Sequence, residues 1–232
     1  MTSIGMRHGV GVEHRPRTSD VAQRALLACG VVSSLLYAVI DLLAGLRYEG
    51  YSFYSQTISE LGAIGAPKPP FLLPLFLTYT VLMVAFGVAV LREGMRGNSR
   101  LKIVGALLLA YMLVGSGTSF FPVHVRGTAT FADELPHIVS GLAAIAVILV
   151  TMGVGSVALG KRFRFFSWTT IATIIVFGAL TVPSGVKLAA GEPTPGMGVL
   201  ERLGYYSILV WVAVLSVALL RRARASEPGG RP

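Results

Sequence analysis

Six apolar runs, each about as long as a bilayer core is thick, leave this chain little choice of fold. They cover Ala25 to Leu46, Phe71 to Leu91, Ile103 to Phe121, Leu135 to Leu159, Trp168 to Val186 and Leu203 to Leu220. Rising about 1.5 Å per residue as helices, each crosses a hydrocarbon core of roughly 30 Å. The expected fold is an all-α integral membrane protein, a six-transmembrane-helix bundle.

The charges are sorted by these runs. Arg7, Arg15, Arg17 and Arg24 precede the first; Arg92, Arg96, Arg100 and Lys102 join the second to the third; Lys161, Arg162 and Arg164 join the fourth to the fifth; Arg221, Arg222, Arg224 and Arg231 follow the sixth. Of 20 Lys and Arg, only Arg47, Lys68, Arg126, Lys187 and Arg202 fall on the other side, which also holds Asp41, Glu49, Glu60, Asp133, Glu134, Glu192 and Glu201. The positive-inside bias predicts both termini in the cytoplasm and a multi-pass protein of the plasma membrane.

The expected organisation is one membrane domain, residues 25–220, between basic cytoplasmic tails at 1–24 and 221–232. With 53% hydrophobic and 13% charged residues, little is left for a second domain. A net charge of +9 invites a nucleic-acid reading, but the basic residues flank apolar helices, where anionic lipid headgroups are the natural partners; no nucleic acid is expected. The polar stretch before the first run contains Glu13 and Asp20 and lacks a small-residue cleavage site after it, so that run reads as an anchor and not a removed signal. Cys29, the single cysteine, excludes an internal disulfide and reads as packing.

The inner halves of the spans are almost purely Leu, Val, Ile and Ala, whereas the outer halves carry residues that cost free energy in lipid. The first carries Asp41, the third ends in Gly115-Ser116-Gly117-Thr118-Ser119, the fifth turns polar around Thr181, Pro183, Ser184 and Lys187, and the sixth opens with Glu201, Arg202, Tyr205 and Tyr206. A carboxylate at a helix centre in lipid costs at least about 2.5–3.5 kcal/mol, so such groups face the bundle interior or a wet cavity. One outward-facing polar cavity is therefore expected. The plainer alternatives are that Asp41 and Glu201 reach headgroups, that the small residues of the third span serve close packing, and that Pro183 bends or ends its helix.

In the first outer loop, Phe53, Thr57, Glu60 and Leu61 share helical spacing, which predicts a short interfacial helix stopped by Gly62. The second outer segment runs Phe120-Phe121-Pro122-Val123-His124, then Asp133-Glu134-Leu135-Pro136-His137. Asp133 is expected to N-cap the fourth span, Glu134 to suit its dipole, and His137 to be a proton-transfer or hydrogen-bonding group.

The phrase Gln56-Thr57-Ile58-Ser59-Glu60-Leu61-Gly62-Ala63, the Phe121-Pro122 pair, His137 and Glu201-Arg202 resemble the bacterial and archaeal six-span membrane family of unknown function numbered 998. The resemblance covers roughly residues 25–220 and implies the fold and one motif-bearing face, with no activity attached.

Neither a metal nor a cofactor is expected. A catalytic zinc wants three protein ligands, and only His124 and His137 lie on the outer side, joined by Asp133 or Glu134 at best. Ser59 sits in no nucleophile elbow. What remains is acid–base chemistry: Glu60, Asp133, His137 and Glu201 as catalytic groups, with Asp41, Tyr51, Tyr54, Ser59, Phe120, Phe121, Arg202 and Tyr205 around a lipophilic small-molecule substrate. Protonation-initiated cyclisation of an isoprenoid is the most concrete candidate, with aromatic faces to steady a carbocation; an interfacial aromatic belt explains the same rings. The alternative is a non-catalytic lipid-binding protein, transporter or assembly subunit in which Asp41, Glu201 and Arg202 form a structural ion-pair network.

Overall fold

A computed structural model describes residues 18–225. Arg7, Glu13, Arg15, Arg17 and Arg231, with the rest of the two expected tail ends, lie outside the described residues. Among the described residues seven α-helices are formed: α1 (Thr18–Arg47), α2 (Leu72–Met95), α3 (Ser99–Gly115), α4 (Gly117–Phe120), α5 (Phe131–Ser156), α6 (Lys161–Ala189) and α7 (Met197–Ala225). The single turn α4 continues α3 past a bend at Ser116, so six helical units are long and apolar enough to cross a membrane. The chain is a multi-pass, all-helical membrane protein.

Several boundaries lie beyond the apolar runs, because capping and packing extend a helix past its apolar core. α1 starts within the expected tail, where Asp20 suits the positive end of the helix dipole. There Gln23 is buried and donates from Nε2 to the Ala89 carbonyl at 2.8 Å. Between α2 and α3 the turn closes on Gly97, whose φ of 123° a side chain would resist, and Asn98 accepts the Leu101 N–H as N-cap. α6 neither stops nor restarts at Pro183 but runs on to Ala189. A proline removes one internal hydrogen bond, a smaller loss than giving up six residues of helix.

The six spans pack as a ring in chain order, each against its neighbours, and α7 closes the ring on α1. Trp211 of α7 fills the middle; it is fully buried, donates from Nε1 to Ser167 Oγ at 2.9 Å, and lies over Gly155 of α5, where a Cβ would strike its ring. Phe86 of α2 occupies the space left by Gly30 of α1. Hydroxyls tie α7 to α1 as well: Ser34 Oγ donates to the Leu209 carbonyl at 2.9 Å and Ser216 Oγ to that of Leu27 at 2.6 Å. The outer surface is the apolar one, with Leu113 at 76% and Val182 at 71% exposure, as expected where lipid is the solvent.

Loops 96–98 and 157–160 lie at one end, here the basic end, and loops 48–71, 121–130 and 190–196 at the other, the acidic end. The expected short helix in the first of these is one 3-10 turn, Ser59–Gly62. It does not lie flat on a membrane surface: Thr57, Ile58, Glu60, Leu61 and Ala63 are buried, so the loop folds inward over the mouth of the ring. A parallel bridge, Ile64 N–H to Val123 carbonyl at 2.7 Å and Val125 N–H to Ile64 carbonyl at 3.1 Å, fastens it to the 121–130 loop.

Candidate functional site

Two guanidinium–carboxylate clamps organise the acidic end. In the first, Arg202 of α7 meets Asp41 of α1 through two bonds of 2.9 Å, Nε to Oδ2 and Nη2 to Oδ1. Both residues are buried, Asp41 at 2% exposure. The remaining Arg202 donors reach the Tyr51 hydroxyl at 2.6 Å and the carbonyls of Phe53, Gln56 and Gly198 at 3.1, 2.9 and 3.1 Å. All five guanidinium protons therefore have acceptors. Tyr206 adds a third bond to Asp41, Oη to Oδ2 at 2.6 Å, and the Phe53 ring lies 4.9 Å from the guanidinium carbon.

The sequence folds locally to permit this. Gly198 lets α7 approach the loop so closely that a Cβ there would collide with the Gln56 and Phe53 carbonyl oxygens. Gly45 likewise leaves room for the Phe53 ring. Tyr51 donates to the Thr57 carbonyl at 2.7 Å while accepting from Arg202; burial pushes its phenol pKa up in spite of the neighbouring cation.

In the second clamp, Glu60 of the 3-10 turn takes Arg126 Nε on Oε1 at 2.6 Å and Nη2 on Oε2 at 2.9 Å. Its Oε2 also accepts the Thr57 N–H at 2.7 Å and Thr57 Oγ1 at 3.0 Å. Arg126 Nη2 and Thr194 Oγ1 share the Ser55 carbonyl, at 2.7 and 2.9 Å, so three loops meet here. Glu60, with only acceptor roles filled, is built as a carboxylate partner.

Glu201 is bound differently. One oxygen accepts the Ile58 N–H; the other has, among the described residues, Ser59 Oγ at 3.4 Å. One turn along α7, Tyr205 joins a buried phenol cluster, its ring 4.6 Å from that of Tyr37, which in turn lies 5.0 Å from Tyr79. Glu201 is thus the one acidic-end carboxylate of this loop cluster without a guanidinium on it.

Asp133 and His137 do not join. Thr130, not Asp133, is the N-cap of α5; Asp133 sits at the third helical position and its Oδ2 accepts the Thr130 N–H and Oγ1 at 2.8 and 2.7 Å. Four residues of helix, Phe131 to Glu134, precede the apolar run, which moves the cap back to Thr130. His137 Nδ1 pairs with the Phe121 carbonyl at 2.8 Å on an exposed surface. His124 pairs with Glu134, Nδ1 to Oε1 at 3.0 Å. Phe120 and Phe121 are exposed at 79% and 52% and line no cavity at the clamps. Asp41, Tyr51, Ser59, Glu60, Glu201, Arg202 and Tyr205 gather beneath one loop; Asp133, His137, Phe120 and Phe121 are placed elsewhere.

Sequence reasoning left Arg126 and Gln56 out of the site, and noted Tyr206 in the polar opening of the sixth span without placing it on Asp41. A signal for Arg126 was available, since it is one of only five basic residues among seven acidic ones on its side, and a buried carboxylate there needs one of them.

Alongside the first clamp, α6 and α7 leave a crevice of about 530 Å³. Phe53 and Tyr54 close its acidic end, Arg202 and Tyr206 form part of its wall, and Phe166 and Val210 mark its depth. From Val199 to Val210 it follows α7 for about 16 Å. The wall hydroxyls are satisfied by their own helices, Thr173 Oγ1 on the Thr169 carbonyl at 2.9 Å and Ser207 Oγ on that of Leu203 at 2.7 Å, so the crevice presents an apolar surface. Leu203 and Val210, at 44% and 52% exposure, leave it open on the outer, lipid-facing side.

No curated protein and no solved structure matches the chain. A family model matches residues 31–218, the whole ring from mid-α1 to the last turns of α7, and the chain accordingly belongs to the family described as protein of unknown function DUF998.

Proposed function

We propose that this protein is a lipid-binding membrane protein that holds the hydrocarbon chain of an amphiphile in the α6–α7 crevice, with its polar end near Tyr54 and the Asp41–Arg202 clamp. The crevice carries the reading. Its volume of about 530 Å³ lies in the range of ligand sites, roughly 300–1,000 Å³. It is apolar along its length, open toward lipid, and ends against polar groups. Asp41 and Glu60 are each engaged by an arginine, which favours a structural part for them, as in the ion-pair network, over proton transfer.

The test is photocrosslinking in bilayers with a diazirine-bearing phospholipid, followed by peptide mapping. Label concentrated on 166–173 and 199–210, and reduced by Thr173→Trp, is the expected result. Label spread evenly over all lipid-facing helices refutes a specific chain site.

A second reading, acid–base chemistry on an isoprenoid-like substrate, is favoured by one observation: the Glu201 oxygen whose contact is the 3.4 Å one to Ser59. In that reading Glu201 gives its proton to a substrate alkene carbon, and a basic group, Asp133 or His137 in the fullest form of the idea, later takes one back. Turnover of a polyprenyl substrate that disappears in Glu201→Gln, with the protein still folded, supports it; turnover indifferent to Glu201→Gln and Asp133→Asn rules it out.

A further inference from the structure

A second cavity lies at the acidic end where the 48–71 and 121–130 loops meet. It encloses about 170 Å³ between Tyr48, Gln56, Glu60, Ala63, Val125 and Arg126, and shares no residue with the α6–α7 crevice. Its walls hold donors in excess. Arg126 uses Nε and Nη2 on Glu60 and the Ser55 carbonyl, leaving both Nη1 protons without an acceptor among the described residues. Gln56 accepts the Ser52 N–H on Oε1 at 2.8 Å, which fixes its amide and leaves the two Nε2 protons without an acceptor among the described residues. Tyr48, its ring 5.6 Å from that of Tyr51, has a hydroxyl without a partner among the described residues as well.

The charge selects among acceptors. Glu60 already matches the guanidinium and is itself a wall of the cavity, so an oxyanion entering here would lie against a carboxylate. A neutral hydroxyl fits both demands. Its oxygen accepts from Arg126 Nη1 or Gln56 Nε2, and its proton can go to Glu60 Oε1, which holds a single bond, from Arg126 Nε. At about 30 Å³ per water molecule the space holds roughly six waters' volume, comparable with a glycerol unit or one edge of a hexose.

We propose that this cavity binds the vicinal diol of a neutral polyol, either free in solution or carried as the headgroup of a glycolipid. The test uses the full chain in phosphatidylcholine nanodiscs, with binding read by native mass spectrometry against three probes: monoglucosyl diacylglycerol, methyl glucoside and phosphatidic acid. Wild-type protein is expected to take a sugar probe. Gln56→Glu, which keeps the acceptor for Ser52 but replaces the donors by a carboxylate oxygen, should weaken it about tenfold or more, and Tyr48→Phe several-fold. Leu113→Ala, on the lipid-facing surface and lining neither cavity, should leave it unchanged. Binding of the glucolipid alone assigns the diol to a membrane lipid; binding of methyl glucoside as well assigns it to a soluble polyol. The proposal is overturned if neither sugar probe binds, if both variants bind as wild type does, or if phosphatidic acid is preferred. Should Gln56→Glu fail to fold, Tyr48→Phe, which keeps the ring in place, decides alone.

Discussion

The Arg202 guanidinium grips Asp41 with two parallel bonds of 2.9 Å, joining the last membrane helix to the first across 161 positions of sequence. The same residue holds three carbonyls, so one side chain closes the helix ring and pins the loop that covers it.

A charge so placed should be expensive to remove. Losing one partner of a buried pair leaves the other uncompensated and destabilises by about 3–5 kcal/mol. Arg202→Ala and Asp41→Ala should each lower the thermal unfolding midpoint in detergent by many degrees. Arg202→Lys should rescue little, because an ammonium with three donors cannot replace a planar fork with five. Wild-type melting of the Lys variant would mean that the clamp does not hold the ring.

Glu60 and Arg126 should behave as a unit. Glu60→Gln and Arg126→Gln are each expected to destabilise, and the double variant by less than the sum, with a coupling of about 0.5–3 kcal/mol between residues in direct contact. Chemical denaturation of the four proteins measures it. An additive cycle would dismiss the pair as a link between the two loops.

Glycines at close approaches should sort by what surrounds them. Gly198→Ala forces a methyl onto the Gln56 and Phe53 carbonyls and should melt at a lower temperature than wild type, with the 48–71 loop more open to protease. Gly178→Ala meets nothing within 4 Å and should stabilise α6 by about 0.5–1 kcal/mol through the alanine preference alone. Equal effects at the two sites would contradict the loop docking.

Orientation is checked with single cysteines in a Cys29→Ser background. Lys68 and Lys161 are both exposed at opposite ends of the ring. The positive-inside bias predicts that Lys68→Cys reacts with an impermeant maleimide on intact cells while Lys161→Cys reacts only after lysis. The reverse pattern would invert the topology and turn the loop-covered site to the cytoplasm.

Much of this architecture is legible in the sequence because the bilayer imposes it one helix at a time. Run length sets each span, and the sorting of charge gives the alternation of ends; both are local properties. The inward loop announced itself in part through Glu60 and the glycine at 62. Its helical spacing misled beyond Ser59–Gly62, because Phe53 is claimed by Gly45 and Arg202 instead of by a helix turn. The start of α5 was misplaced by three residues for a related reason, since Thr130 and Asp133 make equally good cap partners and only their bonding tells which is the cap.

Hydrophobic length and charge sorting act on each segment independently, so the order of residues alone specifies a bundle of six membrane helices with seven of its eleven acidic residues at one end. Which charge meets which is settled by the folding of the helices against one another. Asp41 with Arg202, Glu60 with Arg126, and Glu201 with neither depend on the ring closing α7 against α1 and on the angle at which the loop enters. Those are long-range geometric outcomes, and no spacing along the chain encodes them.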